Sequence, residues 1–364
     1  MPALWSFGVL LFAGGHMAST SITHGGRALA FARERRLDYR EVLDFSANIN
    51  PLGPSPHALA ALGESLDLIT VYPDEFPVRL AHAISDRLHI AEKHILPGNG
   101  ATDLIYFWLR TIHPRSATLI VPTFVEYRRA LESAGAGIEI VSLNAHDHFR
   151  LPAISANTDV VILTNPNNPS GAYAPPEEMA GWIARIPSST HVFVDEAFVE
   201  FTAQPSLVRY IDRFPNLWVL RSMTKFYALA GLRIGYLAGY GVPLLVEHRE
   251  PWQVNSLAEL AGVASLEDRA YEESTLRLIQ RERIWLWKKL QHLTQIRAFP
   301  TSANFFLACC ASDELLDRLI GTLAEQKILI RDCRGIEGLA GPCFRFAIKA
   351  RRENVRLLRF LEGI

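Results

Sequence analysis

The sequence has no excess of charge of either sign. Lysine and arginine total 37 against 38 aspartates and glutamates, a formal net charge of −1, which argues against nucleic acid or an anionic membrane as the main partner. Cysteine is scarce: four residues, with no C-x-x-C pair, and Cys309 and Cys310 adjacent in a strand-like run. Reduced thiols in a cytoplasmic protein are therefore expected. The twelve histidines form no H-E-x-x-H or comparable set, and His146 and His148 flank an aspartate in a polar loop; no metal site is expected. No apolar run is long enough for a bilayer. Ala3 to Ala13, ALWSFGVLLFA, is too short to span one and lacks the positive segment of a secretory signal. Met17 follows it and is expected as the true start, with residues 1–16 a non-native or unstructured extension. Internal repeats, low-complexity tracts and a basic helix-turn-helix pattern are also missing.

What remains is an ordinary soluble composition, 49% hydrophobic and 21% charged over 364 residues, with material for about two domains. One stretch carries the most information. Ser222 to Tyr236 reads SMTKFYALAGLRIGY and follows the strand-like run LWVLR (Leu217 to Arg221). A lysine at the end of a buried strand, here Lys225, is costly unless it has a partner or a covalent task. The task that fits is attachment through its amine to an aldehyde cofactor, with Arg233 a fixed cation for that cofactor's phosphate. The competing reading is a surface lysine in a glycine-containing turn. Two further motifs bear on the choice. TNPNNPSG (Thr164 to Gly171) follows the run DVVIL, and Pro166 and Pro169 stop a central strand there. Asn168 then sits at a strand's carboxyl end, where ligands bind in open α/β sheets, and its amide can donate to a phenolate oxygen without adding charge. HVFVDEAF (His191 to Phe198) ends an apolar run in Asp195 and Glu196. Asp195 reads either as the carboxylate that keeps a pyridine nitrogen protonated or as a helix N-cap. Lysine, aspartate, asparagine and arginine together are the parts of a pyridoxal-phosphate site.

The order and spacing of Asn168, Asp195, Lys225 and Arg233 resemble the fold-type I aminotransferase superfamily, from about His24 onward over nearly the whole chain. The resemblance implies pyridoxal 5′-phosphate as cofactor. It implies a phosphate cup in GNGATD, where Gly100, Ala101 and Thr102 open a helix whose free N–H groups and dipole favour an anion. Ser222 and Thr224 would add hydroxyl donors to the same phosphate. Phe124, in VPTFVEY, falls where the superfamily stacks an aromatic on the cofactor ring, although a core phenylalanine is the commoner fate. Tyr72, in VYPD, resembles the tyrosine that reaches a neighbouring subunit's cofactor phosphate, which implies a homodimer; its plain reading is a turn tyrosine beside Pro73.

The same resemblance addresses the substrate. Arg345 in CFRFAI matches the arginine that binds the substrate's acidic group, and Arg331 in ILIRDC lies on the preceding strand. Two arginines suit a dianionic phosphoryl group better than a lone carboxylate. Two branches of the superfamily compete. Histidinol-phosphate aminotransferases share the YPD, N-N-P-[ST]-G and K-x-x-A-L-A-G-x-R patterns. Decarboxylases of O-phospho-L-threonine, which serve cobalamin synthesis, resemble this chain in HGG (His24 to Gly26), in LDFSANINPLG (Leu43 to Gly53) with an isoleucine between the asparagines, in MTKFY, and in ILIRDCRGIEGL. Phe198 in DEAF also stands where aminotransferases carry a ring-contacting tyrosine. This second resemblance implies that His24, Gly25, Asn48, Arg331 and Arg345 surround a phosphorylated amino acid.

Strand-like runs at 117–121, 138–143, 159–163, 191–194, 217–221 and 234–238 alternate with helical patterns such as 102–112. The alternation predicts an α/β fold with a mostly parallel sheet covered by helices on both faces. The superfamily resemblance makes that sheet a seven-stranded type, with residues 51–255 as the large cofactor-binding domain. Residues 256–364 are expected as a smaller α+β domain, opened by one long helical stretch over 256–293, and residues 17–50 as an arm packing with it.

Overall fold

The computed structural model describes residues 24–154 and 157–364; the expected extension at 1–16 lies outside them. Helix α1 (Ala28–Arg35) and the two-residue strand β1 (Leu43–Asp44) precede helices α2 (Pro56–Glu64) and α3 (Val78–Leu88). The chain then passes through β2 (Ile95–Gly98), α4 (Ala101–Ile112), β3 (Ser116–Val121), α5 (Glu126–Ser133) and β4 (Gly137–Ser142). It continues through β5 (Val160–Thr164), α6 (Pro176–Ile183), β6 (His191–Asp195), β7 (Leu217–Ser222) and β8 (Gly235–Gly239).

These seven strands form one sheet in the order β2-β8-β7-β6-β5-β3-β4. From β4 to β7 all neighbours are parallel, whereas β8 runs antiparallel to β2 and to β7. The expected mostly parallel sheet thus has one reversed strand, β8 at segment 234–238. Its reversal follows from the connection 223–234, which holds no helix and so makes no crossover of the kind a parallel neighbour needs.

The central strands are continuous apolar runs because both faces are covered. Val161, Val192, Val194, Leu217 and Val219 turn to one side and pack with Met179, Trp182 and Ile183 of α6. Val160, Ile162, Phe193, Trp218 and Leu220 turn to the other and pack with α4 and α5. The alternation is the period of two that strands impose, and each such side chain, fully buried, contributes about 1.5–3 kcal/mol.

The remainder comprises α7 (Val242–Val246), α8 (Ser256–Glu267), α9 (Arg269–Leu290), β9 (Ile296–Ala298), β10 (Phe305–Cys310), α10 (Asp313–Glu325), β11 (Ile328–Leu329), β12 (Arg331–Asp332), β13 (Cys343–Ala347) and α11 (Arg351–Glu362). The helical stretch expected over 256–293 is two helices. Asp268 leaves helical geometry between them (φ −83°, ψ 82°) and caps α9 by accepting from the Tyr271 N–H at 3.0 Å. A second, antiparallel sheet has the order β12-β13-β10-β9, and β1 pairs in parallel with β11. Through that pair residues 46–50 are led alongside β13, with Ala347 N–H donating to Phe45 O at 2.8 Å.

The cysteine expectation needs correction. Cys309 on β10 and Cys343 on β13 are register partners and are joined by a disulfide, while Cys310 and Cys333 are free and buried. The pairing comes from strand register, which cysteine spacing alone does not encode. Among the described residues no helix is long and apolar enough to cross a membrane, and no group of three or more His, Cys, Asp or Glu could hold a metal ion.

Candidate active site

The carboxyl ends of β2, β3, β5, β6 and β7 open on one cavity of about 690 Å³. The chain leaves β3 outward to β4 and returns on its other side as β5, so the loops after β3 and β5 flank a topological switch point. Phe124 follows the first of these strands and Asn168 the second, and both line the cavity. Asp195 ends β6 and Lys225 lies three residues beyond β7; both line it as well.

Lys225 is enclosed, and burial lowers its amine pKa from 10.5 to about 8; the nearby charges of Arg345 and Arg233 push the same way, against Asp195. Asp195 accepts from the Tyr127 hydroxyl at 2.8 Å on one oxygen and from the Ala197 N–H at 2.8 Å on the other. Burial nevertheless raises its pKa, with those two hydrogen bonds opposing. It therefore reads as a carboxylate held in a fixed orientation and aimed into the cavity, not as a helix N-cap, since no α-helix starts there. The Asn168 side-chain oxygen accepts from Arg345 Nη1. Because arginine only donates, that contact fixes the amide and leaves its NH₂ as the donor end.

The expected phosphate end is built on glycine. Gly100 precedes α4 at φ +83°, and a Cβ there would lie 2.7 Å from Arg233 Nη2. At Gly235, on β8, a Cβ would lie 2.7 Å from Arg221 O and 3.2 Å from the Ala101 nitrogen. The two glycines let the helix start, the guanidinium and the strand approach closely. Ala101, Thr102, Ser222, Thr224 and Arg233 line this end, with the hydroxyls of Ser222 and Thr224 2.8 Å apart.

At the other end β12 and β13 place Arg331 and Arg345 directly opposite one another. Burial lowers the pKa of Arg345 to about 10, and Arg331 adds to the effect; burial lowers that of Arg331 too. Arg345 Nη2 donates to Ser46 O at 3.0 Å, while its Nε has no partner among the described residues. Asn48 is buried beside it with an unpartnered side-chain oxygen, and the Thr123 hydroxyl is likewise buried without a partner.

His24 and Gly25 close one wall. His24 Nε2 lies 2.9 Å from Glu126 Oε1, and its ring tilts over Phe124 with centroids 5.8 Å apart. Gly25 runs so close to Ser46 that a Cβ would sit 2.2 Å from its carbonyl oxygen. Phe198 lines the cavity with no polar atom and packs edge-on against Phe305 at 5.0 Å.

Tyr72, expected to serve a neighbouring subunit, is 81% exposed, packs against Trp252 at 5.2 Å and stands outside the cavity of its own chain. Sequence reasoning passed over Tyr127, Glu126 and Thr123. All three stand in the quoted string VPTFVEY, and the polar residues beside Phe124 at a strand's carboxyl end were the available signal.

The site fits pyridoxal phosphate: an enclosed amine of lowered pKa, an oriented buried carboxylate, an amide whose oxygen is held by Arg345, and a helix start and guanidinium whose close approach a Cβ at Gly100 or Gly235 would prevent. Comparison with known proteins agrees in fold and sequence. The chain is 34% identical to the threonine-phosphate decarboxylase of Salmonella typhimurium, over 96% of this chain and 98% of that one. A solved histidinol-phosphate aminotransferase from Clostridium acetobutylicum superposes with a TM-score of 0.82 at 32% identity, covering 88% of this chain and 98% of that one. A solved L-threonine-O-3-phosphate decarboxylase from Porphyromonas gingivalis gives 0.80 at 26%, covering 88% and 99%. The family model described as aminotransferase class I and II matches residues 40–364, and with a site of this make-up at the expected strand ends the chain belongs to that family.

Proposed function

We propose that the protein is a pyridoxal-phosphate-dependent carboxy-lyase that converts O-phospho-L-threonine to (R)-1-amino-2-propanol O-2-phosphate, a step of cobalamin synthesis. The cofactor, when bound, supplies an electron sink for a bond broken at the substrate's Cα. Lys225 holds it covalently, Asp195 keeps its ring nitrogen protonated, Asn168 donates to its ring oxygen and Phe124 covers its ring. Gly100, Ala101, Thr102, Ser222, Thr224 and Arg233 hold its phosphate.

The observation that carries the substrate class is the placement of Arg331 opposite Arg345. Like charges directly opposite each other on a sheet are destabilising, and both are also desolvated. A dianionic phosphoryl group compensates two such cations, with Asn48, His24 and Gly25 closing around it. If both arginines serve the phosphate, neither would grip the α-carboxylate, and the electron sink that the cofactor supplies could then be used for loss of that carboxylate. After loss of carbon dioxide Cα would need a proton, and Lys225, which lines the cavity, would be the group to supply it.

A second reading is an aminotransferase acting on histidinol phosphate, favoured by the 32% identity to the solved enzyme of that name. The test mixes cofactor-loaded protein with O-phospho-L-threonine in the absence of any keto acid. Steady carbon dioxide release over many turnovers, lost in Arg331→Met, is expected. Conversion of histidinol phosphate that depends on 2-oxoglutarate, without carbon dioxide release, would establish the second reading instead.

A further inference from the structure

Thr123 is only 6% exposed, its hydroxyl has no partner among the described residues, and it lines the cavity. A hydroxyl buried in this way weakens the fold, and valine at the same volume would remove that cost. Its position is fixed from both sides. The carbonyl of the preceding Pro122 accepts from Asn167 Nδ2 at 2.8 Å. Gly338 presses on the other flank, where a Cβ would lie 2.6 Å from Val121 Cγ2. Thr123 therefore stands between the asparagine turn and the segment that brings Arg331 and Ile336 into the cavity. In the sheet, β5, β6 and β7 lie between β3, which leads into Thr123, and β8, which forms the cup with α4. Two more buried polar atoms of this cavity lack partners, Asn48 Oδ1 and Arg345 Nε.

Thr123 Oγ1 and Arg345 Nε both donate, so ligand oxygens on this side satisfy them, whereas Asn48 Oδ1 accepts and calls for an N–H or O–H of the ligand. We infer that the Thr123 hydroxyl is a substrate-binding group, donating to an anionic oxygen of the bound phosphorylated amine. The inference rests on the reading of the substrate as a phosphorylated amino acid or amino alcohol.

Thr123→Val is the test, with Thr123→Ser as the conservative control. The cofactor-free Thr123→Val protein is expected to melt at or above the wild-type temperature and to bind pyridoxal phosphate with unchanged affinity. Its KM for O-phospho-L-threonine should rise about tenfold, equivalent to about 1.4 kcal/mol, and Thr123→Ser should recover most of the loss. A lower melting temperature in the cofactor-free valine protein would overturn the inference by revealing a structural partner. So would weaker cofactor binding at unchanged KM, or no change in KM at all. If wild-type protein turns over histidinol phosphate and not O-phospho-L-threonine, the decarboxylase reading fails on its own. The same KM comparison with histidinol phosphate then decides the inference, a tenfold rise upholding it and no rise overturning it.

Discussion

At the scale of the residue, Lys225 is governed by its surroundings more than by its own chemistry. Burial, then Arg345 and Arg233, bring its pKa from 10.5 to about 8. In the unfolded chain the amine keeps its ordinary value, so between the two values the unfolded state binds more protons. This group's contribution to the stability of the cofactor-free protein therefore rises with pH from about 8 to 10.5. The uncharged amine is the nucleophile. Capture of pyridoxal phosphate by the cofactor-free protein should accelerate about tenfold per pH unit below this pKa and level off above it. Removing one neighbouring cation in Arg345→Met should move the midpoint upward. Stopped-flow absorbance across pH 6–10 checks both, and a flat profile would contradict the assignment of Lys225. The lysine, Asn168 and Asp195 were legible because each stands in a distinctive string at or just past the end of an apolar run, and Arg233 because it shares the string of Lys225. Tyr127 was not. Its hydroxyl reaches Asp195 only because the first turn of α5 lies against the end of β6, a contact 68 residues apart in sequence.

At the scale of the element, the strands and the mostly parallel sense of their sheet were legible, and the one reversed strand was not. Runs such as VVIL and HVFV are apolar throughout because α4 and α5 cover one face and α6 the other, and that composition survives in the sequence. The reversal of β8, the break at Asp268 and the pairing of Cys309 with Cys343 depend on which elements meet, and no local string encodes them. The start of α4 shows an element and a ligand site sharing one requirement. Gly100 combines φ +83° with contact against Arg233, and either feature alone disfavours a side chain. Gly100→Ala should displace Arg233 and tilt the first turn of α4, weakening cofactor affinity at least tenfold, or about 1.4 kcal/mol. Because burial and Arg345 still act on Lys225, its pKa should rise only by the part that Arg233 supplies. Equilibrium titration of cofactor fluorescence measures the first and the capture profile the second. Unchanged affinity would mean that the phosphate is held elsewhere.

At the scale of the whole molecule, Tyr72 stands outside the cavity of its own chain. It is 81% exposed at the end of a segment that also exposes Leu66, Ile69 and Val71, with Trp252 against its ring. Scattered exposed apolar side chains are ordinary, but a run of this kind marks a surface that another protein covers. A second copy of the chain is the occupant proposed here, with Tyr72 of each subunit reaching the other's cofactor phosphate. That arrangement makes a prediction which a monomeric site cannot satisfy. Lys225→Ala and Tyr72→Ala should each be strongly impaired alone. When the two are unfolded and refolded together, heterodimers form in which one site carries both lesions and the other carries neither. With random pairing of twofold-symmetric dimers about a quarter of all sites are then intact, and activity should return to roughly that fraction of wild type. Sedimentation should give a dimer for each protein and for the mixture. Mixtures that stay at the sum of the single-mutant activities would place Tyr72 in the service of its own subunit, or of none.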